Sequence, residues 1–364
     1  DGESEAAGGE SSASSRTSGG RPLAFSPLGD AEDRRRVRSS LFDALGTLVS
    51  ERKLGGLPLD PVAVLRRARR DAASFRELVA RLPPWHDAET SGALCMASIY
   101  ARAAYGLVGR TGMFDSMPSC VWVFSGQRAR YDMAQDVDTA SNNAAFLDMV
   151  QLPRSDLVCA QWRVLGPLCP VFVVARDHDM RWLVVTVRGT LSTKDILTDA
   201  AVNPVPFLEG SAHEGFAAAA DRLVEALKEV LPHEVAAHPG YRLVLCGHSM
   251  GGAIAALALA RLRAEAPWAS RAVAYTVGTP AALSLNLGRR LAEEGAVLTA
   301  VNGRDWSPRS SVSGARELVD GVVGLGVVRS VLRGAVGREL GRAPVESPEA
   351  EQLPPGRILQ VVAG

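Results

Sequence analysis

Ser249 is the residue of this sequence whose surroundings point most directly to chemistry. It lies in Gly247-His248-Ser249-Met250-Gly251, directly after the apolar run YRLVLCG and directly before an Ala-rich segment. A G-x-S-x-G motif between a strand and a helix predicts a sharp turn that holds the serine hydroxyl clear of the backbone, where it can attack a carbonyl carbon. A serine that merely caps a helix is the alternative, and the strand-turn-helix context favours the nucleophile.

Acyl transfer also requires N–H donors for the oxyanion, and two candidates follow from position in the chain. The first is Met250, the residue after the nucleophile. The second is Thr190, in VRGTLSTKDILTDA (187–200), where an apolar strand ends and a helix is predicted to begin near Ser192. Ser192 and Asp195 have the spacing of a capping box, so a simple capped helix explains the spacing equally well.

Asp305 is the candidate acid of a catalytic triad. It lies just past the apolar run AVLTAVNG, in AVNGRDWSPR (300–309). Its loop is predicted to leave the sheet at the same carboxyl edge as Ser249, where such sheets place their chemistry. An ordinary turn aspartate near a proline is the alternative.

The elements that must position these residues form an alternating pattern. From about residue 157 apolar strands alternate with helices, which predicts a mostly parallel central sheet with helices on both faces. Together with the serine motif, this pattern predicts an α/β-hydrolase fold. The predicted organisation is a disordered low-complexity tail (1–30), a helical N-terminal segment that packs on the hydrolase domain (31–150), and the hydrolase domain itself (151–364). Individual predictions include helices over 34–51, from Asp60, over 87–105, 211–231 and 312–340, adjacent strands 171–178 and 181–189, and a last strand 356–362.

Composition excludes several classes of function. Lys+Arg and Asp+Glu both number 40, so the basic excess typical of nucleic-acid binding is missing. The five cysteines are scattered and the six histidines are unclustered, which argues against a disulfide framework or a metal site and favours a reducing compartment. The chemistry predicted for Ser249 needs no cofactor. We see no signal peptide and no apolar run typical of a membrane span.

Taken together, these motifs resemble the class 3 (fungal-type) lipase family. The matching pieces are Arg188-Gly189-Thr190, His213-Glu214-Gly215-Phe216, the serine motif, and Asp305-Trp306-Ser307-Pro308. RGTLSTKDILTD, Ala103-Ala104-Tyr105-Gly106 and Pro354-Pro355-Gly356-Arg357-Ile358 are most similar to the sn-1-specific diacylglycerol lipase branch. The resemblance covers residues from about 40 to 364. It implies hydrolysis of an acylglycerol at a membrane surface with release of a fatty acid, and it strengthens the assignments of Thr190 and Asp305.

One part of the family's triad has no match in this sequence. The resemblance implies a histidine base after the aspartate, but all six histidines precede Asp305. His248 adjoins the nucleophile, and the turn is expected to direct its side chain away from Ser249; His213 is expected to be structural, and His233 and His238 to be solvent-exposed beside a loop. Two accounts stay open: a hydrolase domain incomplete at its C-terminal end, which we favour, or a catalytically inactive relative.

The hypotheses for function follow from these two accounts. The first is an acylglycerol lipase, similar to diacylglycerol lipase, that forms an acyl-enzyme on Ser249; a phospholipase A1 or another esterase of the same fold is its variant. The second is an inactive lipid-binding or interaction protein. The resemblance implies a glycerolipid partner and a location at the cytoplasmic face of a membrane, with any anchor outside this chain. Calcium enters only through the resemblance, and the sequence leaves the oligomeric state open.

Overall fold

The structure is a computed structural model that describes residues 87–111, 137–166, 168–191, 195, 203–303, 305, 307–309 and 352–361. Four sequence predictions lie outside these residues: the disordered tail over 1–30, the helix over 34–51, the helix from Asp60, and the helical region over 312–340. The division of the chain at residue 150 stays a prediction.

Six helices and eleven strands are found in the described residues. The helices are α1 (Ala88–Ala103), α2 (Gly106–Arg110), α3 (Thr139–Val150), α4 (Glu214–Ala237), α5 (Met250–Glu265) and α6 (Leu285–Glu293). The strands are β1 (Leu157–Gln161), β2 (Phe172–Asp177), β3 (Trp182–Val187), β4 (Pro204–Phe207), β5 (Gly210–His213), β6 (Arg242–His248), β7 (Val273–Val277), β8 (Leu283–Ser284), β9 (Val297–Asn302), β10 (Gln352–Leu353) and β11 (Arg357–Val361).

The main sheet has seven strands in the order β1-β2-β3-β6-β7-β9-β11. β1, β2 and β3 pair antiparallel, and β2 and β3 are the adjacent strands that the sequence predicted, joined by the turn around Asp179. From β3 onward every pair is parallel. The carboxyl ends of β3, β6, β7 and β9 therefore lie at one edge, which we call the site edge; the other is the opposite edge.

Each face of the sheet has its own hydrophobic core. Successive strand residues point to opposite faces, so Leu243 and Leu245 of β6 belong to one core whereas Val244 and Cys246 belong to the other. Helices α4, α5 and α6 cover the first face, and α1 and α3 cover the second. This burial on both faces explains why the parallel strands are almost continuously apolar in sequence.

A second, four-stranded sheet in the order β10-β8-β5-β4 was not predicted. It corrects one boundary: residues 211–213, predicted as the first turn of a helix, form most of β5, which pairs with β4 and β8. The helix α4 begins at Glu214, where the imidazole of His213 accepts a hydrogen bond from the N–H of Phe216 and so caps the first turn.

The other end of α4 also differs from the prediction. The helix does not stop at residue 231 but continues through Pro232 to Ala237. Burial of Leu231 and the pairing of Glu234 with Arg176 hold this last stretch in place, although the proline removes one helical hydrogen bond.

This arrangement is the predicted α/β-hydrolase fold, with a mostly parallel sheet between two layers of helices. Within the described residues, no helix combines the length and the apolar character needed to cross a membrane.

Candidate functional site

The turn at Ser249 has strained backbone geometry. Ser249 has φ 54° and ψ −129°, outside the regions that L residues favour, and its N–H donates to Val277 O on the adjacent strand at 2.9 Å. A Cβ at Gly247 would lie 2.5 Å from the carbonyl carbon and oxygen of Gly251. The strand and helix approach too closely for a side chain there, which is the physical reason for this glycine.

Helix α5 begins directly after Ser249 and is buried on every side through its first eleven residues. Its first N–H groups lack acceptors within the helix, as at any helix N-terminus. The side chain of Met250 is buried, so only its backbone N–H is available for the predicted role as an oxyanion donor. That role stays a prediction.

The segment that carries Thr190 is packed against this turn. A Cβ at Gly251 would lie 2.2 Å from Val187 O and 2.7 Å from the carbonyl carbon of Arg188, so the end of β3 touches the first turn of α5. Thr190 follows two residues later and is half-buried. Its predicted role as the second oxyanion donor is compatible with this position.

Asp195 binds residues on both sides of Thr190, which the capping-box prediction did not include. Ser192 lies outside the described residues, whereas Asp195 Oδ2 accepts hydrogen bonds from Arg188 Nη2 and from the N–H of Leu191, both at 2.9 Å. Both charged side chains are almost fully buried. A buried ion pair that spans Thr190 therefore holds the loop from its two ends.

Asp305 lies in the loop after β9, at the site edge, as predicted. Its N–H donates to Asn302 O, and its Oδ1 accepts from the N–H of Ser307, both at 3.0 Å. Its Oδ2 lies against Gly278, where an added Cβ would be only 2.6 Å away. Gly278 follows β7 and has φ +55°, a conformation that favours glycine.

The imidazole of His248 lies between Asp305 and Tyr105. Its Nε2 would be 3.6 Å from the same added Cβ on Gly278, and its Nδ1 is 3.0 Å from the hydroxyl of Tyr105. Burial lowers the pKa of His248, and the charge of Asp305 partly opposes this shift. Burial therefore disfavours the charged form of this imidazole.

The other described histidines lie outside this turn, on or beside other elements. His213 is buried and stacked on Phe216, which confirms the expected structural role. His233 is exposed as predicted, but it lies within α4 and not beside a loop. His238 is half-buried, contrary to the prediction, because it packs against Tyr241 and His178.

Two contributors to the site were not identified in the sequence. Tyr105 was noted only within a family-like stretch, and it comes from the helical segment before the sheet. Gly278 was unremarked, although a glycine directly after a predicted parallel strand is a usable signal. Among the residues that the structure describes, no group of three or more His, Cys, Asp or Glu side chains could hold a metal ion.

Comparison with known proteins agrees with the motifs. The model of the class 3 lipase family matches residues 184–314. Over 157 residues the chain is 34% identical to diacylglycerol lipase-beta of Mus musculus, an alignment that covers 40% of this chain and 23% of that protein. Over 136 residues it is 29% identical to a lipase of Rhizopus niveus, covering 34% of this chain and 35% of that protein.

The solved lipase of Rhizopus microsporus var. chinensis aligns at 20% identity and a TM-score of 0.45, covering 63% of this chain and 72% of that one. The alignments to the mouse and Rhizopus niveus proteins span about a quarter and a third of those relatives. The family match includes most of β3, the turn at Ser249 and the loop of Asp305. The resemblance to the class 3 lipase family that the motifs predicted is therefore confirmed over residues 184–314.

Proposed function

We propose that this protein is a carboxylic ester hydrolase that attacks acylglycerols through Ser249. The observation that carries the proposal is the strained turn at Ser249, where Gly251 packs closely against the end of β3 and Asp305 lies at the same edge of the sheet. Strained backbone at a solvent-accessible nucleophile is typical of hydrolases of this fold, because it separates the hydroxyl from the backbone.

In the proposed reaction, Ser249 Oγ adds to the ester carbonyl carbon, and the negative charge that develops on the carbonyl oxygen is stabilised by the N–H groups of Met250 and Thr190. The alcohol leaves with a proton, and water then cleaves the acyl-serine to release the fatty acid. Asp305 would orient a base imidazole and stabilise its charged form.

In the family the catalytic residues follow one another in the order serine, aspartate, histidine. No histidine follows Asp305 in these 364 residues, so they contain no histidine base in that order. His248 is not proposed for this role, since its Nδ1 is engaged by Tyr105. We therefore expect this chain alone to hydrolyse esters slowly, at a residual rate sustained by the oxyanion donors and by substrate binding.

Diacylglycerol is the proposed substrate, and a lipid surface is the proposed place of reaction. The 34% identity to diacylglycerol lipase-beta supports diacylglycerol, whereas the similarity to the Rhizopus lipase supports acylglycerols in general. The test compares the release of fatty acid from diacylglycerol, triacylglycerol and phosphatidylcholine in mixed micelles. Diacylglycerol should be hydrolysed fastest; a faster rate on phosphatidylcholine would favour a phospholipase A1.

Chemical rescue tests the mechanism. Hydrolysis of a short-chain p-nitrophenyl ester should rise with added imidazole, which can act as the general base, and Ser249→Ala should abolish that rise. Ser98→Ala is the matched control, since the Ser98 hydroxyl donates a hydrogen bond to Leu94 O of its own helix, α1. Absence of any Ser249-dependent rate, with or without imidazole, would support the inactive lipid-binding alternative.

A further inference from the structure

Tyr105 links the helical segment before the sheet to the two loops of the site. It lies between α1 and α2, where its N–H donates to Arg102 O at 3.1 Å, and its side chain is buried. The family match begins only at residue 184, so Tyr105 belongs to a part of the chain outside that match.

The hydroxyl of Tyr105 meets the oxyanion loop and the serine turn at one point. A Cβ on Gly189 would lie 2.2 Å from the hydroxyl of Tyr105 and 2.5 Å from His248 O. Gly189 directly precedes Thr190, and His248 directly precedes Ser249. The contact therefore fixes the spacing between the two loops that carry the proposed oxyanion donors.

The same hydroxyl also contacts the ring of His248. It lies 3.0 Å from Nδ1, and burial disfavours the charged imidazole by lowering its pKa. If the phenol donates to Nδ1, the single ring proton must sit on Nε2, the nitrogen on the side of Gly278 and Asp305. One hydroxyl thereby orients His248 and buttresses Gly189.

We propose that Tyr105 is a positioning residue for ester hydrolysis: its hydroxyl holds Gly189 and His248 together, so that the N–H groups of Thr190 and Met250 converge on one oxygen. This inference rests on the proposed function. It assigns to the helical segment before the sheet a direct part in the geometry of the site, beyond covering one face of the sheet.

Tyr105→Phe removes the hydroxyl and keeps the ring, and Tyr100→Phe is the matched control. Tyr100 lies on α1, the helix that precedes Tyr105, and its buried hydroxyl donates to Asp177 Oδ2 at 2.8 Å, at the opposite edge. In the imidazole-supported assay, Tyr105→Phe should lower kcat about tenfold and leave KM within about twofold. The reason is that the oxyanion donors, which act mainly in the transition state, would be less well positioned. Tyr100→Phe should lower Tm and leave kcat unchanged.

A second readout does not depend on activity. The ¹⁵N NMR shifts of the His248 ring should indicate an Nε2–H tautomer in the native protein and should change in Tyr105→Phe but not in Tyr100→Phe. A native Nδ1–H tautomer, an unchanged ring in Tyr105→Phe, or an equal fall of kcat in both variants would overturn the inference.

The two proposals fail in distinguishable ways. Hydrolysis that persists in Ser249→Ala would refute the proposed function, whatever Tyr105 does. Hydrolysis that requires Ser249 but has a native kcat in Tyr105→Phe would refute the positioning role alone. If no hydrolysis is measurable at all, the NMR result still decides whether Tyr105 sets the state of His248.

Discussion

The two edges of the main sheet carry the same three residue types in contact. At the site edge, the hydroxyl of Tyr105 meets His248 Nδ1, and His248 and Asp305 share Gly278 as a neighbour. At the opposite edge, Tyr241 meets His178 Nδ1, and His178 Nε2 lies 3.3 Å from a carboxylate oxygen of Asp156. A tyrosine, a histidine and an aspartate together therefore do not define a hydrolase site.

What differs between the edges is how tightly the backbone surrounds these side chains. At the site edge Gly189, Gly247, Gly251 and Gly278 have no room for a Cβ, and the pKa of His248 is lowered by burial. At the opposite edge the side chain of His178 is 49% exposed, and a Cβ on Gly240 would meet nothing within 4 Å. The site edge is distinguished by close packing around a strained serine.

Substitutions of glycine by alanine should show the largest difference in stability between the two edges. Gly251→Ala places a methyl group 2.2 Å from Val187 O. This oxygen belongs to the backbone of a buried strand, so it cannot rotate away from the methyl group. We expect a loss of about 3 kcal/mol or more in the free energy of unfolding, and loss of hydrolysis. Gly240→Ala should change stability by less than about 0.5 kcal/mol. Urea denaturation measures both; equal effects would contradict the contrast in packing.

The carboxylates of the two edges provide the next comparison. Asp305→Asn should lower the imidazole-supported rate of hydrolysis by roughly 10²-fold, since the amide cannot stabilise an imidazolium cation. Asp156→Asn removes the corresponding carboxylate at the opposite edge and should leave kcat within about twofold. Steady-state kinetics of the two variants decide the matter, and a similar loss in both would mean that Asp305 has no special role.

The strained backbone at Ser249 should lower the free energy of unfolding of the native protein. Glycine adopts φ 54° without the steric penalty of a Cβ, so Ser249→Gly should be more stable than Ser249→Ala by about 1–2 kcal/mol while both are inactive. Thermal or chemical unfolding of the pair measures this difference. If alanine were the more stable replacement, the backbone at the turn would not be strained.

The lowered pKa of the partly buried His248 predicts a pH dependence of stability that is specific to the site edge. Its pKa is lower in the folded protein than the ordinary histidine value of about 6.5, so the unfolded chain binds a proton more readily as pH falls below about 6.5. Stability should then decrease toward acid, with a slope of at most ~1.4 kcal/mol per pH unit for this one proton.

His248→Gln should remove this contribution, and His178→Gln at the opposite edge should leave it in place. The measurement is the free energy of unfolding between pH 5 and 7.5 for the native protein and the two variants. A slope that vanishes in His178→Gln but persists in His248→Gln would reverse the assignment.

Local sequence pattern was sufficient for the elements around Ser249. An apolar run, small residues at fixed offsets and an Ala-rich segment predicted β6, the turn and α5, because each depends on neighbours in the chain. The β2–β3 pair was predictable for the same reason. The second sheet could not be predicted in this way, because its strands have only two to four residues. One of these strands, β4, also contains two prolines, Pro204 and Pro206.

The framework of the site was harder to predict because its contacts join distant residues. Tyr105 and His248 are 143 positions apart, and no periodicity relates them. Asp195 was predicted to pair with a backbone N–H at a helix start, and its burial beside Arg188 became evident only in three dimensions. The catalytic roles of Ser249, Asp305, Thr190 and Met250 stay predictions.

Active-site labelling tests the central claim most directly. The protein is incubated with a fluorophosphonate in the presence of imidazole, and the modified residue is identified by intact mass and peptide mapping. A single adduct on Ser249, absent after denaturation and in Ser249→Ala, is the predicted result. An adduct on another serine, or equal labelling of folded and denatured protein, would contradict the assignment of Ser249 as an activated nucleophile.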